Sequence, residues 1–318
     1  MNHRSPWSAV AVLLLAAGCW VLGYATRSRI GRLTIPLAVV ALAVAVFISA
    51  LPSPVFSLST TAFVGYSNGN GWFFVGASFA ALMALAARRA PRVGSRARGW
   101  MDGLSSILIP CAGLFLALPF LLRARGAILS ALLVLPALWI VIARRNHRVV
   151  LKGVSVVVVT AVVLSFLIAR HYTTEQIAKR DIRTATGLFG RGNLWADGYR
   201  LFIRHSLIGV GPGGFQEASF FGTDPDGRWV HNEFLQTAAE TGVIGLCLLL
   251  AILGWSIFAL ARPPTDVSTV AALCVAAFAL AALVDRLFHF PILPAIVALL
   301  AGRATPGGKP NGKSRGSM

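Results

Sequence analysis

Apolar runs of about 17 to 25 residues, the length needed to cross a hydrocarbon core of about 30 Å, recur along nearly the whole chain. A soluble fold has no place for so many of them. Hydrophobic residues make up 56% of the chain and charged residues 13%, against about 25% charged in an ordinary soluble domain. Lipid is therefore the main solvent. The spacing predicts an all-α polytopic membrane protein with about nine transmembrane helices, at residues 8–25, 33–51, 72–87, 104–122, 127–143, 153–169, 242–261, 268–284 and 288–301.

The formal charge of +18 would suggest nucleic acid in a soluble protein. Here the arginines gather in short connectors between apolar runs, where they set topology rather than form a nucleic-acid surface. The connector Arg27–Arg32 is basic, 52–71 carries no charge, and Arg88–Arg98 holds five arginines. Continuing that alternation puts Arg123 and Arg125 outside, Arg144 to Lys152 inside, the long loop after residue 169 outside, Arg262 inside, and the last turn, with Asp285, outside. The N-terminus is then outside and the C-terminus inside. Arg27, Arg29 and Arg32 directly follow the first apolar segment, which is the flank of a retained helix rather than of a cleaved signal. Cys19, Cys111, Cys247 and Cys274 lie singly in apolar surroundings, a pattern that indicates neither a disulfide framework nor a metal cluster.

The chain thus divides into transmembrane helices over 1–169, an aqueous loop over 170–241, further transmembrane helices over 242–301 and a basic, Gly/Pro/Ser-rich tail over 302–318. Eight of the eleven acidic residues fall in 170–240, matched there by eight Lys and Arg. A near-neutral loop of this length is too long to be a plain connector, and its aromatics, among them Trp195, Tyr199, Phe202, Phe215, Phe220, Phe221 and Trp229, argue against disorder. The chemistry is expected there.

Within the loop, Arg191, Trp195 and Tyr199 stand at successive i+4 steps, which places a guanidinium and two rings on one face of a helix. Arg200 and Arg204 form a second such pair. The run Gly209-Val-Gly-Pro-Gly-Gly-Phe215 forces a tight turn. It also spells a dinucleotide fingerprint, but without the strand–turn–helix unit that gives such a motif its meaning. Asn232 is placed to cap a helix running through Glu240 into the next span. His231 then stands at a helix start, an acid–base group at the membrane boundary. Asp224-Pro-Asp226 spells a paired-aspartate metal motif, yet Pro-Asp-Gly reads first as a turn. Asp285, Arg286 and His289 flank the last outer turn and are placed to support the loop.

The order Arg191-x-x-x-Trp195, then Arg204 through Phe215, then His231-Asn-Glu-Phe-Leu-Gln236 and Glu240-Thr-Gly242 resembles the central loop of the bacterial O-antigen ligase and polymerase superfamily. Arg125-Gly-Ala at the start of the fifth span is similar to that family's upstream arginine motif. The resemblance covers about residues 100–300. It implies a multi-pass protein of the bacterial inner membrane with its active loop on the extracytoplasmic side. It further implies a metal-independent, inverting glycosyltransferase without a cofactor, whose donor is an undecaprenyl-diphosphate-linked glycan. The acceptor is a hydroxyl of a glycan, a lipid or a protein. Under it, Arg125 and Arg191 bind the diphosphate, since planar guanidinium forks suit its oxygens, and His231 is the general base. Arg204, Arg123, Trp195, Tyr199 and Glu240 are expected in substrate binding, although Trp195 and Tyr199 equally suit packing and Glu240 equally suits a structural helix end. The alternative function is a transporter or flippase for a lipid-linked or anionic solute, which calls for charges and broken helices at mid-membrane.

Overall fold

The computed structural model describes residues 31–50, 67–88, 95–121, 125–133, 188–221, 228–261, 265–287 and 292–304, with separate positions within 15–25, 135–137 and 156–170. Among the described residues there is no strand. The helices are α1 (Gly31–Ala50), α2 (Ser67–Arg88), α3 (Ser95–Leu121), α4 (Arg125–Ala131), α5 (Leu188–Arg204), α6 (Phe215–Ala218), α7 (Glu233–Leu260), α8 (Asp266–Ala282) and α9 (Ile292–Ala304). The described positions between 156 and 170 are helical as well. Arg123, His289, residues 222–227 with Asp224 and Asp226, residues 144–152 and those beyond 304 lie outside the described residues.

Apolar length places these helices where hydropathy predicts them. The segments Asn70–Ala87 and Glu233–Leu260 are long and apolar enough to cross a membrane, and Thr34–Phe47, Ser106–Pro119, Asp266–Ala282 and Leu293–Gly302 are shorter apolar helices. One boundary differs from the expectation. Helix α3 begins at Ser95 rather than near 104, taking Arg96 and Arg98 into its first turns; hydropathy marks where lipid begins, whereas backbone hydrogen bonding carries the helix on into polar surroundings. Helix α7 begins at Glu233, directly after Asn232, and runs on into the span expected from 242, as the cap at Asn232 predicts.

Helix α2 is the hub. It packs against α1, α3, α4, α8 and α9, and its apolar segment is wholly buried. Its Gly, Ala and Ser residues let neighbouring backbones come close, the usual way for helices to associate where lipid offers no hydrophobic drive. Ser78 donates its hydroxyl to the Ala112 carbonyl of α3 at 3.1 Å, and Phe74 stacks on Phe115 at 5.7 Å. Helix α8 is buried from Ser268 to Ala282 and starts in a Thr265–Ser268 capping box. Ser130 of α4 donates to the Ala277 carbonyl at 2.8 Å, pinning α4 to α8.

Helix α7 contrasts with these. It presents Ile244, Leu248, Leu250, Ile252, Trp255 and Phe258 outward. So large a run of exposed apolar side chains fits contact with lipid and not with water. A second, smaller core lies beside the first, built from Trp195, Leu201, Phe215, Val230, Leu235 and Ala239 with Ala169. It binds α5, the glycine turn and the start of α7 into one body.

Candidate functional site

Helix α5 carries Arg191, Trp195 and Tyr199 as their spacing predicts. Trp195 is buried in the small core with Tyr199 packed against it, so both rings serve packing. The opposite side of α5 is fixed by Asp197, which is fully buried. Its carboxylate accepts from Arg200 Nε at 2.7 Å, from the Ser219 hydroxyl at 2.7 Å and from the Phe220 N–H at 2.9 Å. The Arg200 guanidinium also lies 4.0 Å from the Phe220 ring. These contacts tie α5 to the segment after α6. Arg204, at the end of α5, is exposed.

The glycine turn is interlocked with α7. Val210 N–H donates to the Ala239 carbonyl at 2.9 Å, Gly211 N–H to the Glu240 carbonyl at 3.0 Å, and Val243 N–H to the Ser206 carbonyl at 2.8 Å. Those α7 groups become available because the helix breaks at Gly242, whose φ of 66° and ψ of −161° are not helical. Both backbones approach so closely that a Cβ at Gly209 would fall 2.2 Å from the Glu240 carbonyl carbon, and one at Gly242 would fall 2.3 Å from the Leu207 carbonyl. Only glycine fits either place.

His231 stands immediately before the cap of α7. The Asn232 side chain accepts from the N–H groups of Phe234 and Leu235, each at 3.1 Å, as the sequence predicts. His231 itself has a φ of 55°, the one non-glycine residue in the left-handed region among the described residues. Such a conformation costs roughly 1–2 kcal/mol and persists where neighbours dictate it. Here they do. The preceding N–H, of Val230, donates to Gln236 Oε1 at 2.8 Å, and Gln236 Nε2 donates to Glu240 Oε1 at 2.6 Å. Glu240 in turn accepts backbone N–H groups of Gly213 and Phe215. A continuous relay thus runs from the glycine turn through Glu240 and Gln236 to the backbone beside His231. It gives Glu240 and Gln236 a positioning geometry. Gln236 is absent from the residues singled out by sequence, although it lies on the face of α7 that turns back to its own start.

The imidazole meets Asp285, in the turn after α8. His231 Nδ1 is 3.9 Å from Asp285 Oδ1, with the carboxylate almost wholly buried. That is ion-pair distance and longer than a hydrogen bond, and among the described residues Nδ1 meets no hydrogen-bond partner. Arg191 reaches the same turn, where its Nη1 donates to the Val284 carbonyl. Burial by itself would raise the Asp285 carboxyl. The adjoining His231, the Arg286 N–H and the charges of Arg191 and His231 outweigh burial and hold it below the usual carboxylate range. Arg286 donates its N–H to Asp285 Oδ1 at 2.9 Å while its guanidinium lies 5.4 Å from the centre of the Trp229 ring.

Of the residues expected in the site, Arg191 and His231 are therefore brought to one turn, Glu240 braces the histidine through Gln236, and Arg204 lies exposed at the end of α5. Arg125 is placed as the first residue of α4. Asp285, which sequence put only among supporting residues, is where the polar groups converge. Nothing in local spacing marks it: the contact joins segments separated by 54 residues.

Among the described residues the protein is thus an all-helical body with two helices long and apolar enough to cross a membrane, and a His, Arg and Asp cluster lies at the turn after α8. Residues 110–250 match the family model described as O-antigen ligase. That match covers less than half of the chain and supports a likeness to the O-antigen ligase and polymerase superfamily. Arg125, Arg191 and His231 fall inside the matched stretch, and Asp285 falls beyond it. No curated protein matches the chain.

Proposed function

We propose that this protein transfers a glycan from undecaprenyl diphosphate to an acceptor hydroxyl at the extracytoplasmic face of the bacterial inner membrane, without a metal. In this reading the chain crosses the bilayer nine times and the segment 170–241 is the catalytic loop. The observation that carries the proposal is the meeting of Arg191 and His231, from opposite ends of that loop, at the turn that holds the buried carboxylate of Asp285.

The chemistry follows from that arrangement. With Nδ1 turned to Asp285, Nε2 of His231 is the nitrogen left to take the proton of the acceptor hydroxyl. The freed oxygen attacks the anomeric carbon and forms the new glycosidic bond. The bond from that carbon to the diphosphate oxygen breaks on the opposite face, inverting the centre. The departing diphosphate carries the electron pair as negative charge, which Arg191 and Arg125 stabilise; such preorganised cations are commonly the largest catalytic contribution. In the nine-span arrangement of this reading α4 and α8 run antiparallel, and Ser130 is registered on Ala277. At 1.5 Å per residue, Arg125 then lies within about one turn of Asp285 along the bundle. An Nδ1–Oδ1 separation of 3.9 Å suits a catalytic pair that tightens when substrate binds.

The carrier alternative calls for charges at mid-membrane. Among the described residues the buried acids Asp197, Glu233, Glu240 and Asp285 lie in α5, in α7 before its break, or just after α8. That distribution supports a boundary site.

The test is His231→Asn, because asparagine tolerates the left-handed backbone but cannot act as the base. Transfer from a purified lipid-linked donor is expected to fall by about 10²- to 10⁴-fold with the fold intact. Undiminished transfer would remove the general-base assignment. Whether product glycans become longer or change their attachment then separates polymerase from ligase.

A further inference from the structure

We propose that the corner at the end of α5, Ile203 to Ile208, is a membrane anchor: Leu207 and Ile208 insert at the acyl boundary of the lipid leaflet, and Arg204 meets the headgroup phosphates beside them. This rests on the membrane-spanning α7 of the reading above and adds to it what holds the loop body at a fixed height over the bilayer.

Ile208 is 69% exposed and Leu207 63%, more than any large apolar side chain on the outward face of α7, where Trp255 reaches 62%. Ile203 is exposed as well. A turn surrounded by water ordinarily carries polar residues at its tip, as the exposed Gln216 and Glu217 of α6 do. Adjacent large aliphatic side chains at a tip call instead for an apolar cover. The backbone shows which one. Val243 N–H donates to the Ser206 carbonyl at 2.8 Å, and a Cβ at Gly242 would fall 2.3 Å from the Leu207 carbonyl. The corner is therefore fastened to α7 where its lipid face begins, beside the exposed Val243 and Ile244. Its apolar surface continues that face, and the bilayer that covers one reaches the other.

Arg204 supplies the polar half of the contact. It is the last residue of α5 and is exposed. The bonds from His205 N–H to the Leu201 carbonyl and from Gly209 N–H to the His205 carbonyl carry a helical turn on past it, so Arg204 stands one turn from Ile208. An arginine there lays its methylene stem along apolar surface and lifts its guanidinium to phosphate level. The same turn runs on to Val210 and Gly211, bonded to the Ala239 and Glu240 carbonyls, and to Gly213 and Phe215, bonded to the Glu240 carboxylate. Glu240 braces the backbone beside His231 through Gln236. The depth of Ile208 thus sets the height of the imidazole over the leaflet, which matters for a substrate whose reacting atoms are carried on a lipid.

The test is the depth of a nitroxide label in the full chain, its four native cysteines replaced by alanine, reconstituted in vesicles of phosphatidylethanolamine and phosphatidylglycerol. Labels at Ile208→Cys and, as the lipid control, Ile252→Cys are expected to collide preferentially with oxygen, and one at Glu217→Cys with a water-soluble nickel chelate. Arg204→Glu, which repels phosphate, is expected to move the Ile208 label toward water. An Ile208 label as aqueous as that at Glu217, with Ile252 in lipid, would overturn the anchor and leave the glycan-transfer reading standing. An aqueous Ile252 label would remove the membrane-spanning reading itself. Dipolar broadening between Ile208 labels on different chains would assign the corner to a second copy and overturn the lipid contact, and unchanged depth in Arg204→Glu would overturn the headgroup contact. If the cysteine-free chain fails to fold, hydroxyl-radical footprinting of the wild type in the same vesicles decides: Leu207 and Ile208 are expected to be protected, and rapid oxidation there would overturn the proposal.

Discussion

Replacing Gly242 by alanine strikes the joint on which the loop is mounted. At φ 66° and ψ −161° the residue occupies a region that only glycine ordinarily adopts, and holding another residue there costs of order 1–3 kcal/mol. The added Cβ would also stand 2.3 Å from the Leu207 carbonyl carbon and oxygen and 2.6 Å from the Ile208 nitrogen. These are backbone atoms, which no side-chain rotation can move aside. The chain relieves the clash by separating the two backbones, giving up the hydrogen bonds from Val210, Gly211 and Val243. Three such bonds at about 0.5–1.5 kcal/mol net each put the loss at about 1.5–4.5 kcal/mol. The assay is unfolding in detergent together with hydrogen exchange at the amides of 205–215. Earlier unfolding and faster exchange in that segment are expected, along with reduced transfer, because Glu240 loses the turn that fixes it. Two controls separate the causes. Gly254 of the same helix meets nothing within 4 Å, so its change to alanine is expected to gain about 0.5–1 kcal/mol from helix propensity. Gly211 has a φ of 96° and nothing within 4 Å, so alanine there meets strain alone. Unchanged stability and exchange in Gly242→Ala would refute the clamp.

Asp285→Asn removes the carboxylate that faces His231 and feels the charge of Arg191, and transfer is expected to fall with little change in acceptor affinity, measured as separate kcat and KM values. Because the folded-state carboxyl of Asp285 is held below its ordinary value, its contribution to stability is full above the usual carboxylate range and is lost as pH falls through the depressed folded value. Melting curves of the wild type and Asp285→Asn should therefore differ at neutral pH and converge in acid; a constant gap would refute the assignment. Asn232→Ala is expected to cost about 0.5–2 kcal/mol as a lost helix cap, with Asn232→Asp largely rescuing the melting temperature. Asp197→Ala leaves Arg200, Ser219 and the Phe220 N–H without their acceptor and is expected to cost about 3–5 kcal/mol, the scale of a broken buried ion pair, read as destabilisation without a specific change in pH profile.

Much of this was legible locally. The i+4 spacing of Arg191, Trp195 and Tyr199 calls for a helix, and α5 is that helix. Asn232 reads as a cap because a short amide before a helical run has N–H groups to accept. Gly209 to Phe215 reads as a turn. The break at Gly242 was not legible, since Glu240-Thr-Gly-Val continues a helical pattern and the reason for the break is the backbone of Leu207 pressed against it. Trp195 likewise suits a sugar platform or a core, and only the packing of Val230, Leu235 and Phe215 around it selects the core.

Sequence alone indicated the medium and the segment in which the polar residues gather. Apolar runs of bilayer length force helices that satisfy their own backbone groups, and polar residues excluded from lipid collect in one loop. Tertiary structure alone decided which of those polar residues meet. The turn after α8 returns Asp285 to a histidine and an arginine far away along the chain, and a carboxylate that must be buried takes the charged partners the fold supplies. Spacing within a segment carries no record of such a meeting, because the distance that matters is set by how three separate helices pack.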